Sequence, residues 1–145
     1  MPVFDIAPLY TPGDQQDMLV NNVRFGEALA SKFVDKAAFG SAEGLKPAHN
    51  VVLMRRHGYT THGKDIETAV YRAIYTKINA GVQTSATNLR HQFPQISKLE
   101  QKFDFEPLTA EQCKGCIAMN EATQDKPWRL WVQEVEKSHL YANNG

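Results

Sequence analysis

His57 is the residue of this sequence whose type and position best suit it to chemistry. It stands in "HNVVLMRRHGYTTHG" (49–63), where an apolar run gives way to His57-Gly58 and a second short run ends at His62-Gly63. A histidine before glycine, at a break between two strands, can aim its imidazole out of a sheet edge as a metal ligand. It can equally be a turn residue hydrogen-bonded to backbone. The residues alone leave both readings open. His62 lies five positions on, and in a continuous strand the two side chains point to opposite faces, so they are not expected to chelate one ion together. His49 precedes the strand in a setting that reads as exposed, and His91 and His139 fall in polar, helix-end contexts. Neither HExxH nor HxH occurs.

The second candidate group is Cys113-Lys114-Gly115-Cys116, which holds both cysteines of the chain. Zinc sites built on CxxC take a second pair, and none exists here. A redox CxxC is expected at a helix N-terminus directly after a strand, whereas this one follows "FEPLTAEQ" inside the first turns of an expected helix. Two half-buried thiols are the plain expectation. Asp65 and Glu67 read as acids favoured at a helix start by the helix dipole. Arg55 and Arg56 alternate along a strand, so one should face solvent or an ion pair. Tyr71 with Tyr75 has the spacing of packing surface, and Trp128 with Trp131 reads as core. No nucleophile–base pair and no phosphate-binding glycine pattern can be read.

These groups need elements to position them. "PVFDI" (2–6) reads as a short strand with Pro2 at its first position, and the Pro-Gly of "YTPGDQ" (10–15) marks a turn. Phe25, Leu29 and Phe33 recur at four-residue spacing, which predicts an amphipathic helix over 22–36, with Gly26 a weak point. "FGSAEGLKPAH" (39–49) has loop composition. "VVLMRR" (51–56) is too apolar for simple alternation, so a strand covered on both faces is expected, with "YTT" (59–61) extended after the break. A long helix should start after Asp65 as N-cap and bury the stripe Ile66, Ala69, Val70, Ala73, Ile74 and Ile78, fading near Asn88. Thr109 with Gln112 forms a capping box for a helix over about 110–122. Pro127 suits the first turn of a final amphipathic helix carrying Trp128, Trp131, Val132 and Val135. The order predicts an α/β domain with few strands.

Bulk properties narrow the function classes. At 145 residues, with 42% hydrophobic and 22% charged residues, the chain is long enough for one domain with a core. Sixteen basic residues balance sixteen acidic ones and the longest basic cluster is Arg55-Arg56, so nucleic-acid and membrane-surface partners are not expected. "MPVFDIAPLY" does not read as a secretory signal, and no apolar run approaches the roughly 18 residues of a membrane span. A soluble, cytoplasmic protein is the resulting expectation.

The segment "VVLMRRHGYTTHGKDIETAVYRAIYTKINAGVQTSA" (51–86) resembles the class II aldolase/adducin family, whose pattern is an apolar strand, Arg, a variable residue, His-Gly, an extended segment, Gly, a helix-start acid and a long alanine-rich helix. The upstream "PVFDI" through "FGEALA" is similar to the segment joining that family's metal-site strands to this motif. The resemblance implies a partial α/β/α sandwich with a mainly antiparallel sheet. It implies a half domain over 1–92 with a helical carboxy-terminal extension over 93–145 packing on it, as in fungal-type members. It further implies a metal-dependent lyase acting on a small hydroxylated carbonyl or carboxylic compound, with a divalent metal, zinc first, as cofactor. His57 maps onto one of three metal-binding histidines; His62 carries no family role. The family's HxH-like histidine pair and catalytic glutamate are expected ahead of a segment like "PVFDI", so the metal site within this chain is incomplete. Assembly as a homo-oligomer or with a complementing chain follows as an expectation, because the missing strands leave sheet edges open. The alternatives are a metal-free binding or assembly module, or the same fold recruited for metal-free catalysis.

Overall fold

The computed structural model describes residues 1–34, 47–92 and 107–142. Most of the loop expected at 39–49 and the start of the extension, 93–106, lie outside these residues. The described residues form an α/β arrangement: strands β1 (Val3–Phe4), β2 (Val51–Met54) and β3 (Gly58–Thr61), and helices α1 (Val23–Ala30), α2 (Ile66–Gln92), α3 (Ala110–Thr123) and α4 (Asp125–Lys137). The sheet order is β1-β2-β3 and the sheet is mixed. β1 runs parallel to β2 with Val3 opposite Leu53, and β2 runs antiparallel to β3 with Met54 opposite Gly58.

Two compact units divide the chain, Met1–Ala73 and Ile74–Gly145. In the first, Phe4, Ile6, Phe25, Val52 and Met54 make a buried cluster, with Leu9, Tyr10, Met18 and Leu29 packed around it. Strand alternation explains the membership: Phe4, Val52 and Met54 share one sheet face, and α1 covers that face with Phe25. Asn22 caps α1 through its side-chain oxygen, which accepts from the Phe25 amide at 3.0 Å. Tyr10 meets the Phe25 ring edge-on, with centroids 5.5 Å apart.

The two-sided cover expected for β2 is not found. Leu53 is 36% exposed beside Val3 at 53%, whereas Val52 is fully buried, so β2 alternates after all. The strand is also shorter than 51–56, because the chain turns back at Arg55. On α2 the buried residues are Thr68 and Tyr71, and Ile66 is 75% exposed. The expected isoleucine stripe therefore does not define the buried side. α2 meets β3 through polar contacts: Tyr59 Oη donates to the Ala73 carbonyl at 2.7 Å and Thr61 Oγ1 to the Ala69 carbonyl at 3.0 Å. A sheet this narrow leaves the Ile66 side without cover.

Local signals fare better. Asp65 Oδ1 accepts from the Thr68 amide at 2.7 Å, as an N-cap should. Both bonds of the Thr109–Gln112 capping box form. α3 and α4 are separated at Gln124, where Pro127 has no N–H to offer the Thr123 carbonyl. Trp128 and Trp131 are half-buried in α4, short of the core positions expected for them.

Gly63 sits where the chain leaves β3 and passes beneath the start of α2. A Cβ there would lie 2.5 Å from the Ala69 nitrogen and 2.9 Å from the Asp65 carbonyl oxygen, and neither backbone atom can swing aside. Gly63→Ala is expected to destabilise the protein by roughly 1–3 kcal/mol, read as a lower urea midpoint.

A second anchor is Asp14. Its Oδ2 accepts from the Thr11 amide at 2.6 Å and pairs with Arg24 Nη2 at 2.6 Å. These donors, the Thr11 amide foremost, hold its carboxyl down from 3.8 to about 2. The folded value lies below the unfolded one, so the contribution is complete above pH 3.8 and is lost as pH falls through about 2. Asp14→Asn should flatten the stability-versus-pH curve in that window, measured by urea unfolding across a pH series.

Candidate functional site

The reversal between β2 and β3 is built from Arg55, Arg56 and His57. The His57 amide donates to the Met54 carbonyl at 3.1 Å, closing a four-residue turn. Arg56, the third residue of that turn, has φ +61°, and Gly58 follows with φ +144°. A positive φ at this position is the type II pattern that ordinarily selects glycine. An arginine there carries backbone strain of about 1–2 kcal/mol. Nothing crowds a Cβ at Gly58, so torsion rather than space is what favours glycine there.

β1 holds the turn from one side. The Arg55 amide donates to the Phe4 carbonyl at 2.9 Å, and Arg55 Nη1 donates to Asp5 Oδ2 at 2.9 Å. The other Asp5 oxygen accepts from the Ala7 amide at 3.1 Å. That amide has the largest effect; partial desolvation comes second and opposes it, and the guanidinium of Arg55 and the charge of Arg56 add enough to leave the Asp5 carboxyl below its ordinary range. Arg55 is thus committed to an ion pair, as one of the two arginines was expected to be.

His57 is exposed at the tip, and its ring makes no hydrogen bond or ring contact among the described residues. His62 stands at the far end of β3, its ring 6.3 Å from that of Phe33 and its carbonyl accepting from Arg72 Nη1 at 2.6 Å. The structure does not bring the two together. His49 lies beside the His62 end, half-buried, with its amide donating to the Phe33 carbonyl at 3.1 Å. Among the described residues no three His, Cys, Asp or Glu side chains gather around one point. A catalytic zinc takes about three protein donors, so the described residues by themselves do not fit the divalent ion implied by the resemblance. They offer one imidazole, beside Arg56, whose charge acts on Asp5.

Two features of the turn were not legible in advance. Asp5 supports the turn from fifty residues away, and no local pattern announces such a pairing. The strained backbone of Arg56 had a weak signal, an apolar strand running into Arg-His-Gly. The cysteines also differ from expectation: Cys113 and Cys116 are both exposed, not half-buried, because the first ten residues of α3 face solvent. No helix among the described residues is long and apolar enough to cross a membrane.

Comparison with known proteins agrees with the turn motif. Residues 5–84 match the family described as Class II Aldolase and Adducin N-terminal domain. The protein named Decarboxylase tropJ from Talaromyces stipitatus is 35% identical over 143 residues, covering 99% of this chain and 51% of that protein. The chain therefore spans about half the length of this curated relative. No solved structure gives a significant match. With β2, the Arg-Arg-His-Gly turn, β3 and most of α2 inside the matched region, the chain belongs to the class II aldolase and adducin family.

Proposed function

We propose that this chain is part of a class II aldolase-like lyase that acts on a small hydroxylated carboxylic compound, with decarboxylation the favoured reaction. The decarboxylase relative supports the reaction type, and the exposed His57 on a strained turn inside the family-matched region carries the site assignment. Backbone strain persists where surrounding structure enforces it, and functional sites are its usual place. Here the Asp5–Arg55 pair and the β1–β2 pairing do the enforcing. The family's customary cofactor is a divalent metal, and His57 is assigned as one donor to it, zinc being the first choice.

The remaining donors are assigned to residues outside these 145, either on the same polypeptide or on a complementing chain, since the chain spans about half the length of its curated relative. With them in place the three strands become part of a larger, mainly antiparallel sheet between helical layers, with 1–92 as the half domain and 93–145 as its helical extension. The uncovered Val3 and Leu53, adjacent on one face, are the apolar surface such an assembly would bury. The two unpaired cysteines accord with a reducing, cytoplasmic setting. The lone imidazole also favours a second reading, a metal-free binding or assembly module, which makes metal content decisive.

Sedimentation combined with elemental analysis tests the proposal. The expected result is an assembled species holding stoichiometric divalent metal, lost on His57→Ala while the protein stays folded. Metal held equally well after His57→Ala would rule the site assignment out, and no metal even with the rest of the relative's length supplied would leave the module. Arg56→Gly separates strain from fold. Relief of about 1–2 kcal/mol of torsional strain, less about 0.4–1 kcal/mol for the added freedom of the unfolded chain, should raise stability slightly, and a urea series would show it.

A further inference from the structure

The features outside the candidate site are few. A concavity along α2 is lined by Ala80, Gln83, Thr84, Thr87 and Asn88, and the hydroxyls of Thr84 and Thr87 are already given to carbonyls one turn back. The uncovered face at Val3 and Leu53 belongs to the assembly already proposed. The cysteine pair on α3 is different in kind, because free cysteine is among the most buried residue types and here two are exposed together.

The position of the pair is well defined. The capping box seats the start of α3: the Thr109 amide donates to Gln112 Oε1 at 2.9 Å and the Gln112 amide to Thr109 Oγ1 at 3.2 Å. The Cys113 amide then closes the first helical bond, onto the Thr109 carbonyl at 2.9 Å. Cys116 follows one turn later, so both thiols lie on one face of a regular helix. The Cys113 thiol points back toward the helix start, with Sγ 3.8 Å from the Leu108 carbonyl oxygen. Cys113 and Cys116 are the chain's two cysteines, so neither has another thiol of its own chain to compete for it.

Spacing decides what such a pair does best. Residues three apart on a helix hold their Cβ atoms about 5–6 Å apart, whereas a disulfide draws them to about 3.5–4.5 Å. Direct oxidation would therefore pull the helix in by about 1 Å. A metal ion with sulfur at about 2.3 Å on either side spans sulfurs up to about 4.6 Å apart and leaves the helix as it is. Two thiolates without a third donor do not meet the needs of zinc, and among the described residues no third His, Cys, Asp or Glu joins them. Soft ions content with two thiolates remain, cuprous ion foremost.

We propose that Cys113 and Cys116 form a two-thiolate chelate on the exposed face of α3 for a soft, two-coordinate d10 cation such as cuprous ion. Binding replaces two S–H protons with two metal–sulfur bonds, releases both protons to solvent and transfers no electrons.

Anaerobic titration of the reduced 145-residue chain with cuprous ion, against a chromophoric competitor, tests this. One equivalent should bind, with a sulfur-to-copper absorption band and loss of both thiols from thiol-reagent counts. Cys113→Ser and Cys116→Ser should each weaken binding at least a hundredfold with unchanged circular dichroism, as exposed substitutions permit. Copper bound equally well by either serine variant would overturn the proposal. So would two thiols that resist alkylation in the native protein, or a disulfide oxidant closing the pair to full yield with no loss of helix signal.

Discussion

Two residues of β1 hold the first unit together. Val3 and Phe4 pair in parallel with Leu53 and Met54, and a parallel pairing cannot be made by a tight turn, so it ties together segments fifty positions apart. This docking sends Phe4 and Ile6 into the cluster with Val52, Met54 and Phe25. It also places Asp5 against Arg55 and the Phe4 carbonyl against the Arg55 amide. Without it the core would lose two of its members, and the turn carrying His57 would lose its anchor.

The turn shows how a folded framework maintains a conformation that its own residues disfavour. Arg56 at positive φ is held between a hydrogen-bonded strand pair and the Asp5–Arg55 ion pair. The ion pair is partly exposed and contributes little by itself. Its effect is positional, since it keeps Arg55 along β1 and leaves the Arg56–His57 tip clear. A donor placed on such a tip is presented outward, toward whatever the rest of the site comes from.

The second unit follows a different logic. α3 begins with a complete capping box yet exposes its first ten residues, so its stability there is local rather than packed. α4 adds the Arg129–Asp125 pair at 2.8 Å across one turn. Helices stabilised this way keep regular geometry while leaving side chains accessible. An exposed cysteine pair at fixed spacing is one consequence.

What the sequence determined was whatever is decided within one or two turns of chain. The Asp65 cap, the Thr109–Gln112 box and the proline break before Trp128 depend on partners three or four residues apart, and the extended run after His57-Gly58 on partners no more than ten apart. The family motif is local in the same sense, and it was readable over 51–86. Tertiary structure decided the rest. Which side of α2 is buried depends on where a narrow sheet offers cover, so Thr68 and Tyr71 are enclosed and Ile66 is left in solvent. The single-sided burial of β2, the service of Asp5 to Arg55 and the exposure of both cysteines likewise follow from which segments meet. Periodicity tells a helix which residues share a face, but only a neighbouring surface determines which face is removed from water.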